Sequence, residues 1–365
     1  VKKGFFIAST GQNIGKTTTC LGLFSKLRKK FPRIGYMKPV GQEHVMTQEG
    51  ISVDKDVLLF KEHFSLQDPF AHMSPVLVPS GFTRDFLDQK IAVDTLKEKI
   101  STSFAHIEKQ HDFVLVEGTG HCGVGSIIQL NNAQAAKLLD LPVLLIASGG
   151  LGSAFDELAL NKCICDRFHV EIVGIILNRV LPHKMSMIDT YMRKALQSWN
   201  IPLLGCIPYD PLLANPSMKD LEVLFNTYLL SGEEHRMRHF ARIHLVATSA
   251  DAYRETIAEN QLIITPAVRE DIIAATLARH WEYKEQNEGK ELRLGLILTG
   301  SYIPRHHRVE EIQKARIPLL YIPLHSDTAM QMIHSFTAKI RTEDIEKVEE
   351  AIDIVERHID FKHLN

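Results

Sequence analysis

The residues best placed to do chemistry come early in the chain. An apolar run, Phe5-Phe6-Ile7-Ala8, leads through Ser9-Thr10-Gly11-Gln12-Asn13-Ile14 into Gly15-Lys16-Thr17-Thr18. This is the pattern of a phosphate-binding loop. A helix opening at Gly15 leaves its first backbone N–H groups without intrahelical acceptors and turns the positive end of its dipole outward, which suits a polyphosphate. Lys16 would reach the terminal phosphates and the Thr17 hydroxyl would hold Mg²⁺. Gln12, Asn13, Ile14, Gly15, Lys16, Thr17 and Thr18 are therefore the candidate nucleotide contacts. The match to GxxxxGK[ST] is not strict, since Thr10 stands at the first glycine and Gly11 comes one place later. The helical spacing of Cys20, Leu21, Leu23, Phe24 and Leu27 supplies the context that the motif needs.

Other polar residues follow apolar strand patterns. Lys38 ends Arg33-Ile34-Gly35-Tyr36-Met37, where Pro39 breaks the run. It is either a solvated lysine or a second cation facing phosphates and substrate. Glu117 closes Phe113-Val114-Leu115-Val116, and an acid there either binds Mg²⁺, directly or through water, or caps a helix entry. Asp54 and Asp56 lie in a polar stretch as metal ligands or as an N-cap. Asn178 ends the Gly174 to Leu177 strand, where an amide offers both donor and acceptor to an adenine edge, or simply makes a turn.

The elements that must position these residues alternate. Strand patterns near residues 5–8, 34–38, 113–117, 142–147 and 170–177 are nearly continuous apolar runs, the last two each entered from a helix. A run of that kind is covered on both faces, so the expected fold is α/β, a parallel sheet with helices on either side and ligands at its carboxyl edge. Residues 68–86 read as a loop over the site, followed by a helix from about Leu87 to Gln110. Residues 213–240, with Pro216, Gly232 and a charged run, read as a connection. A second alternation follows, with strands at Ile243 to Val246, Leu262 to Ile264, Leu294 to Leu298 and Leu319 to Ile322. It ends in an amphipathic helix near Thr342 to Ile359. The expected domains are residues 1–212 and a smaller α/β domain at 241–365.

Composition bounds the partners. With 365 residues, 45% hydrophobic and a net charge of −2, the chain reads as two globular domains. That charge gives no electrostatic reason to expect nucleic acid or an anionic membrane as partner, since both would want a basic face. No apolar run of membrane-spanning length is present, and the start reads as a buried strand, so a cytoplasmic location is expected. Five cysteines without a CxxC signal neither a disulfide framework nor a zinc site. Cys163 and Cys165 should lie on a helix, and His306-His307 in a solvated loop. A homo-oligomer is the expected assembly.

Ala8 to Thr18, Tyr36 to Val40, Val116-Glu117-Gly118, Gly174 to Asn178 and Leu204-Gly205-Cys206-Ile207-Pro208 together resemble the dethiobiotin synthetase and cobyrinic acid a,c-diamide synthase group of P-loop proteins. That resemblance spans about residues 4 to 212. It implies ATP on the loop, Mg²⁺ near Thr17, Glu117 and Asp54 or Asp56, a nucleotide contact at Pro208, adenine read at Asn178, and Lys38 facing an acceptor. Lys38 and Lys16 are then the candidate catalytic residues. The substrate side departs from the pattern. Gly11 stands where a dethiobiotin synthetase has threonine, Gln42 lies near the place of its serine, and Thr119-Gly120-His121-Cys122 replaces its glycine-rich turn.

The second half looks like a DRTGG domain, its motif degraded to Arg269 and Thr299-Gly300-Ser301, with Val268 in place of aspartate. The pairing of the two halves resembles the N-terminal regulatory portion of long-form phosphate acetyltransferases, whose catalytic domain follows the DRTGG domain. The chain stops at Asn365, so acetyl transfer is not expected of it. Two readings remain: a nucleotide-dependent regulatory or sensor module, whose second half takes a small effector or protein partner, and an ATP-dependent ligase. A deviant Walker ATPase is disfavoured, because its extra lysine would fall at Gly11.

Overall fold

The computed structural model describes residues 3–47 and 49–360. The chain divides into two compact units, one formed by residues 1–209 with 340–365 and the other by residues 210–339.

The first unit is built on a six-stranded sheet. In chain order its main elements are β1 (Gly4–Ser9), α1 (Lys16–Lys30), β2 (Ile34–Met37), α2 (Lys55–His63), α3 (Val93–Gln110), β3 (Phe113–His121), α4 (Asn132–Leu138), β4 (Val143–Ser148), α5 (Gly152–Arg167), β5 (Ile172–Val180), α6 (Met185–Leu196) and β6 (Leu203–Pro208). The strand order is β6-β5-β4-β1-β3-β2, and every neighbouring pair is parallel. β1 and β2 are buried along their whole length, as expected of strands covered on both faces. Beneath α1 an aromatic cluster fixes the floor of the site. Tyr36 stacks on Phe60 with centroids 3.7 Å apart, and Phe24 meets Phe60 edge-on at 5.6 Å. Such pairs each add about 1 kcal/mol beyond the area they bury.

Residues 42–56 and 68–86 contain more regular structure than the sequence suggests. His44–Met46 and Ser52–Asp54 form an antiparallel hairpin, and Val76–Leu77 pairs with Val40–Gly41. Short helices cover Phe70–Met73 and Phe82–Leu87, so the long helix starts at Val93 and not at Leu87.

The helix Ile345–His358 belongs to the first unit, which corrects its assignment to the second domain. It packs on α1 and its end lies against β6. The contact needs Gly22, because a Cβ there would sit 2.3 Å from Val355 Cβ. Ser25 and Lys29 of α1 bond Glu356 at 2.7 and 2.5 Å. An amphipathic pattern shows that a helix has a buried face, but not which body covers it. Residues 361–365, also assigned to the second domain from sequence, lie outside the described residues.

The second unit carries four parallel strands in sequential order, β7 (Arg242–Leu245), β8 (Gln261–Pro266), β9 (Gly295–Thr299) and β10 (Leu319–Ile322). Alternation along the strands makes two cores. Ile263, Leu296 and Leu298 pack with Ile272, Leu277 and Ile312 on one face, and Leu262, Ile264, Ile297 and Leu320 with Met218, Leu221, Ala329 and Ile333 on the other. Met218, Leu221 and Leu229 are core residues, so residues 213–240 are part of this unit and not a free connection. His306 and His307 open the helix His306–Lys314 instead of lying in a loop, and both are exposed. Among the described residues no helix is long and apolar enough to cross a membrane.

Candidate nucleotide site

The loop between β1 and α1 is shaped by Gly15. Its φ of 93° is left-handed, and a Cβ on it would lie 2.3 Å from Asn178 Nδ2, so only glycine fits. Asn13 is also left-handed, at φ 57°. Asn178 at the end of β5 holds the loop from below. Its Nδ2 donates to the Ile14 carbonyl at 2.7 Å, and its Oδ1 accepts from Arg179 N at 2.9 Å. One amide N–H and one oxygen lone pair remain for another partner. The backbone N–H groups of Gln12 through Gly15 find no backbone acceptor among the described residues.

Lys16 Nζ donates to Ser9 Oγ and to the Gly120 carbonyl, both at 2.9 Å. Both partners are neutral oxygens. Burial lowers the lysine pKa, with Lys38 adding to the effect and Glu117 opposing it. Thr17 Oγ1 donates to Glu117 Oε1 at 3.0 Å, and the Tyr36 hydroxyl donates to Glu117 Oε2 at 2.7 Å. Glu117 is 1% exposed, and burial together with the nearby Asp56 raises its pKa. It lies inside β3, which continues to His121, so it caps no helix. Parallel pairing sets Glu117 opposite Ile7 of β1, and this register carries it to the foot of the loop.

A second group adjoins the first. Lys38 is buried instead of solvated, and it pairs with Asp54 Oδ1 at 3.1 Å and with Asp56 Oδ2. Burial disfavours its ammonium, but Asp56 and Asp54 outweigh that penalty and raise its pKa. Asp54 also caps α2, accepting from Asp56 N at 3.0 Å, while its Oδ2 is buried without a hydrogen-bond partner among the described residues. Among the described residues no three His, Cys, Asp or Glu side chains meet as a metal cage. Thr17 and Glu117 are brought together, whereas Asp54 and Asp56 are engaged by Lys38. Pro208 ends β6 at the carboxyl edge of the sheet, in register with Val180.

Several residues escaped the sequence reading. Tyr36 stands two residues before Lys38 at the end of β2, a spacing that in an extended chain points both to one side and is the local signal for it. Ser9 and Gly120 as lysine partners have none. Asn132 bonds Thr119 N and O and the His121 carbonyl, and Asn161 bonds Cys122 N and the Thr10 carbonyl. These two amides hold the segment after Glu117 from either side.

A parallel α/β sheet with a glycine-lysine-threonine turn between its central strand and first helix defines the P-loop class. Within it, a family model described as an AAA domain matches residues 3–217, more than half of the chain, and the chain belongs to that family, in its dethiobiotin synthetase-like form. A DRTGG domain model matches residues 222–336. The phosphate acetyltransferase of Synechocystis sp. is 26% identical over 369 residues, covering 98% of this chain and 51% of that protein. The chain thus spans about half the length of such relatives. The ATP-dependent dethiobiotin synthetase BioD of Xanthomonas campestris pv. campestris is 26% identical over 207 residues, 57% of this chain and 91% of that protein. Among solved structures, the CBS and DRTGG domains of the regulatory region of Clostridium perfringens pyrophosphatase, complexed with the activator diadenosine tetraphosphate, match at 19% identity. That match has a TM-score of 0.28 and covers 48% of this chain and 84% of that one. A likeness of that size has no bearing on function.

Proposed function

We propose that the chain is a nucleotide-dependent regulatory module, in which the loop binds ATP with Mg²⁺ and the second unit takes a small effector or a protein partner. The observation that carries the reading is the state of Lys16. A partly buried ammonium held by two neutral oxygens, next to a turn whose Gln12 to Gly15 N–H groups have no backbone acceptor among the described residues, is completed by an anion. The residues present also fit Mg²⁺. A magnesium ion keeps most of its waters and takes only one or two protein oxygens besides phosphate, and the Thr17 hydroxyl and Glu117 carboxylate stand 3.0 Å apart. In this reading Mg²⁺ neutralises phosphate charge, Lys16 holds the terminal phosphates, and Tyr36 orients Glu117. Asn178 keeps the loop open.

The acceptor side favours regulation over ligation. Gly11, Gln42 and His121 replace the groups that a dethiobiotin synthetase would use, and binding energy placed on the nucleotide alone does not accelerate transfer to an acceptor. The test is calorimetry with ATP and Mg²⁺, followed by product analysis with diaminopelargonate and bicarbonate and with a panel of carboxylic acids plus an amine donor. Binding without product supports the reading. Turnover of about 1 per second or faster overturns it in favour of the ligase.

A further inference from the structure

The five cysteines are scattered in sequence, but folding brings two of them into contact. Cys122 Sγ and Cys165 Sγ lie 4.0 Å apart, and both residues are fully buried. Cys122 follows Gly120, the acceptor of Lys16, by two residues. Its N–H donates to Asn161 Oδ1 at 2.9 Å, and its carbonyl accepts from Asn132 N at 3.1 Å. Cys165 lies on α5, where Glu157, Asn161 and Cys165 recur every four residues and so share a face. Glu157 Oε2 accepts from Thr10 Oγ1 at 2.9 Å, and Asn161 Nδ2 donates to the Thr10 carbonyl at 3.3 Å. One face of α5 therefore grips both the start of the phosphate loop and the end of the segment that carries Gly120. The thiol pair closes that grip.

We propose that Cys122 and Cys165 form a reversible disulfide site, oxidised by hydrogen peroxide, which locks the Gly118 to Cys122 segment onto α5 and weakens nucleotide binding. The effect on affinity rests on the nucleotide reading, while the disulfide itself does not. The Cys165 thiolate attacks the peroxide O–O bond and keeps one oxygen as a sulfenic acid, and the other oxygen leaves, once protonated, as water. Cys122 then attacks the sulfenic sulfur, loses its proton and displaces a second water. Two thiols give up two electrons and two protons, and one peroxide becomes two waters. Hydrogen bonding with the Cys122 thiol lowers the Cys165 pKa, which suits it to attack first. A disulfide needs sulfurs about 2 Å apart, so the contact must close by a similar amount. Burial admits a small peroxide, when the last turn of α5 opens locally, and excludes bulky disulfides. Lys16 must leave the Gly120 carbonyl to reach a phosphate, and a segment stapled to α5 adjusts to that change less readily.

The experiment uses the full chain carrying Cys163→Ser, because Cys163 is exposed and shares a tryptic peptide with Cys165. The native protein is treated with hydrogen peroxide, alkylated, digested and analysed by mass spectrometry, and ATP affinity is measured before and after treatment. The expected result is a Cys122–Cys165 link, reversed by dithiothreitol, with affinity roughly fivefold weaker while oxidised and restored on reduction. Cys122→Ser in the same background should abolish both effects. Oxidation at other cysteines without this link overturns the site, and a link with unchanged affinity overturns the lock. If the reduced chain binds no ATP, the nucleotide reading fails, and formation of the link by itself still decides the disulfide.

Discussion

Replacing Lys16 with alanine separates a ligand-binding lysine from a structural one. In the folded chain its ammonium bonds Ser9 Oγ and the Gly120 carbonyl, both at 2.9 Å. Ser9 Oγ has one proton to share between the Gly11 carbonyl at 2.6 Å and the Gly120 carbonyl at 3.0 Å, so once the lysine is removed a small turn of that hydroxyl satisfies Gly120. Folding stability should then change by no more than about 1 kcal/mol, or a few degrees in Tm. Binding is a different matter. Exchanging these neutral partners for phosphate oxygens makes two charge-assisted hydrogen bonds, each worth about 1.5–3 kcal/mol. Their loss should cost about 3 kcal/mol or more, roughly two orders of magnitude in Kd. The substitution should also change the pH profile of stability. Burial lowers the Lys16 pKa below 10.5, so between the folded and unfolded values the unfolded chain binds more protons, and stability rises with pH through that interval. The alanine variant should lack this rise. The assays are calorimetry with ATP and Mg²⁺, and thermal unfolding across alkaline pH. Unchanged affinity would refute the reasoning, and so would lost affinity with a Tm drop above about 8 °C, because a drop of that size marks a structural lysine.

Three further outcomes are expected. Glu117→Gln should weaken nucleotide binding in the presence of Mg²⁺ while sparing metal-free nucleotide, and equal losses in paired titrations with and without Mg²⁺ would make Glu117 structural. Because burial raises the Glu117 pKa, its charge destabilises the folded state above the folded pKa, and this penalty is relieved as pH falls toward 4.5; glutamine should flatten that dependence in urea unfolding at several pH values. Lys38→Met leaves Asp54 and Asp56 buried and facing each other, and should cost about 3–5 kcal/mol in denaturant unfolding, with Lys38→Met/Asp56→Asn recovering part of the loss. Gly22→Leu, which would drive a Cβ to 2.3 Å from Val355, should cost about 1–3 kcal/mol and render the terminal helix cleavable by protease; an unchanged Tm and digestion pattern would count against the packing of that helix on α1.

The sequence by itself determined what depends on neighbours along the chain. The strand, turn and helix from Phe5 to Leu27 are contiguous, and Gly15, Lys16 and Thr17 are legible because the motif's chemistry lies within one turn of backbone. The buried strands could be read because a strand covered on both faces is apolar throughout, and β10 occupies the residues 319–322 that the pattern indicates. Tertiary structure decided what depends on sheet order and register. β3 lies between β1 and β2, and that placement brings Glu117 to Thr17 across 100 residues and sets the Tyr36 hydroxyl on its other oxygen. Nothing local distinguishes Lys38 as a buried ion-pair centre from a solvated lysine, since the difference lies in Asp54 and Asp56 arriving from the hairpin and the start of α2. Residues 213–240 look like a connection because a proline, a glycine and charges are read locally, whereas Met218 and Leu221 find their core only when the second sheet is formed. The amphipathic face of Ile345–His358 was visible in sequence, but its partner was not. Gly22, an unremarkable residue in a helix, leaves the space that Val355 fills, and that complementarity exists only once the two helices are side by side.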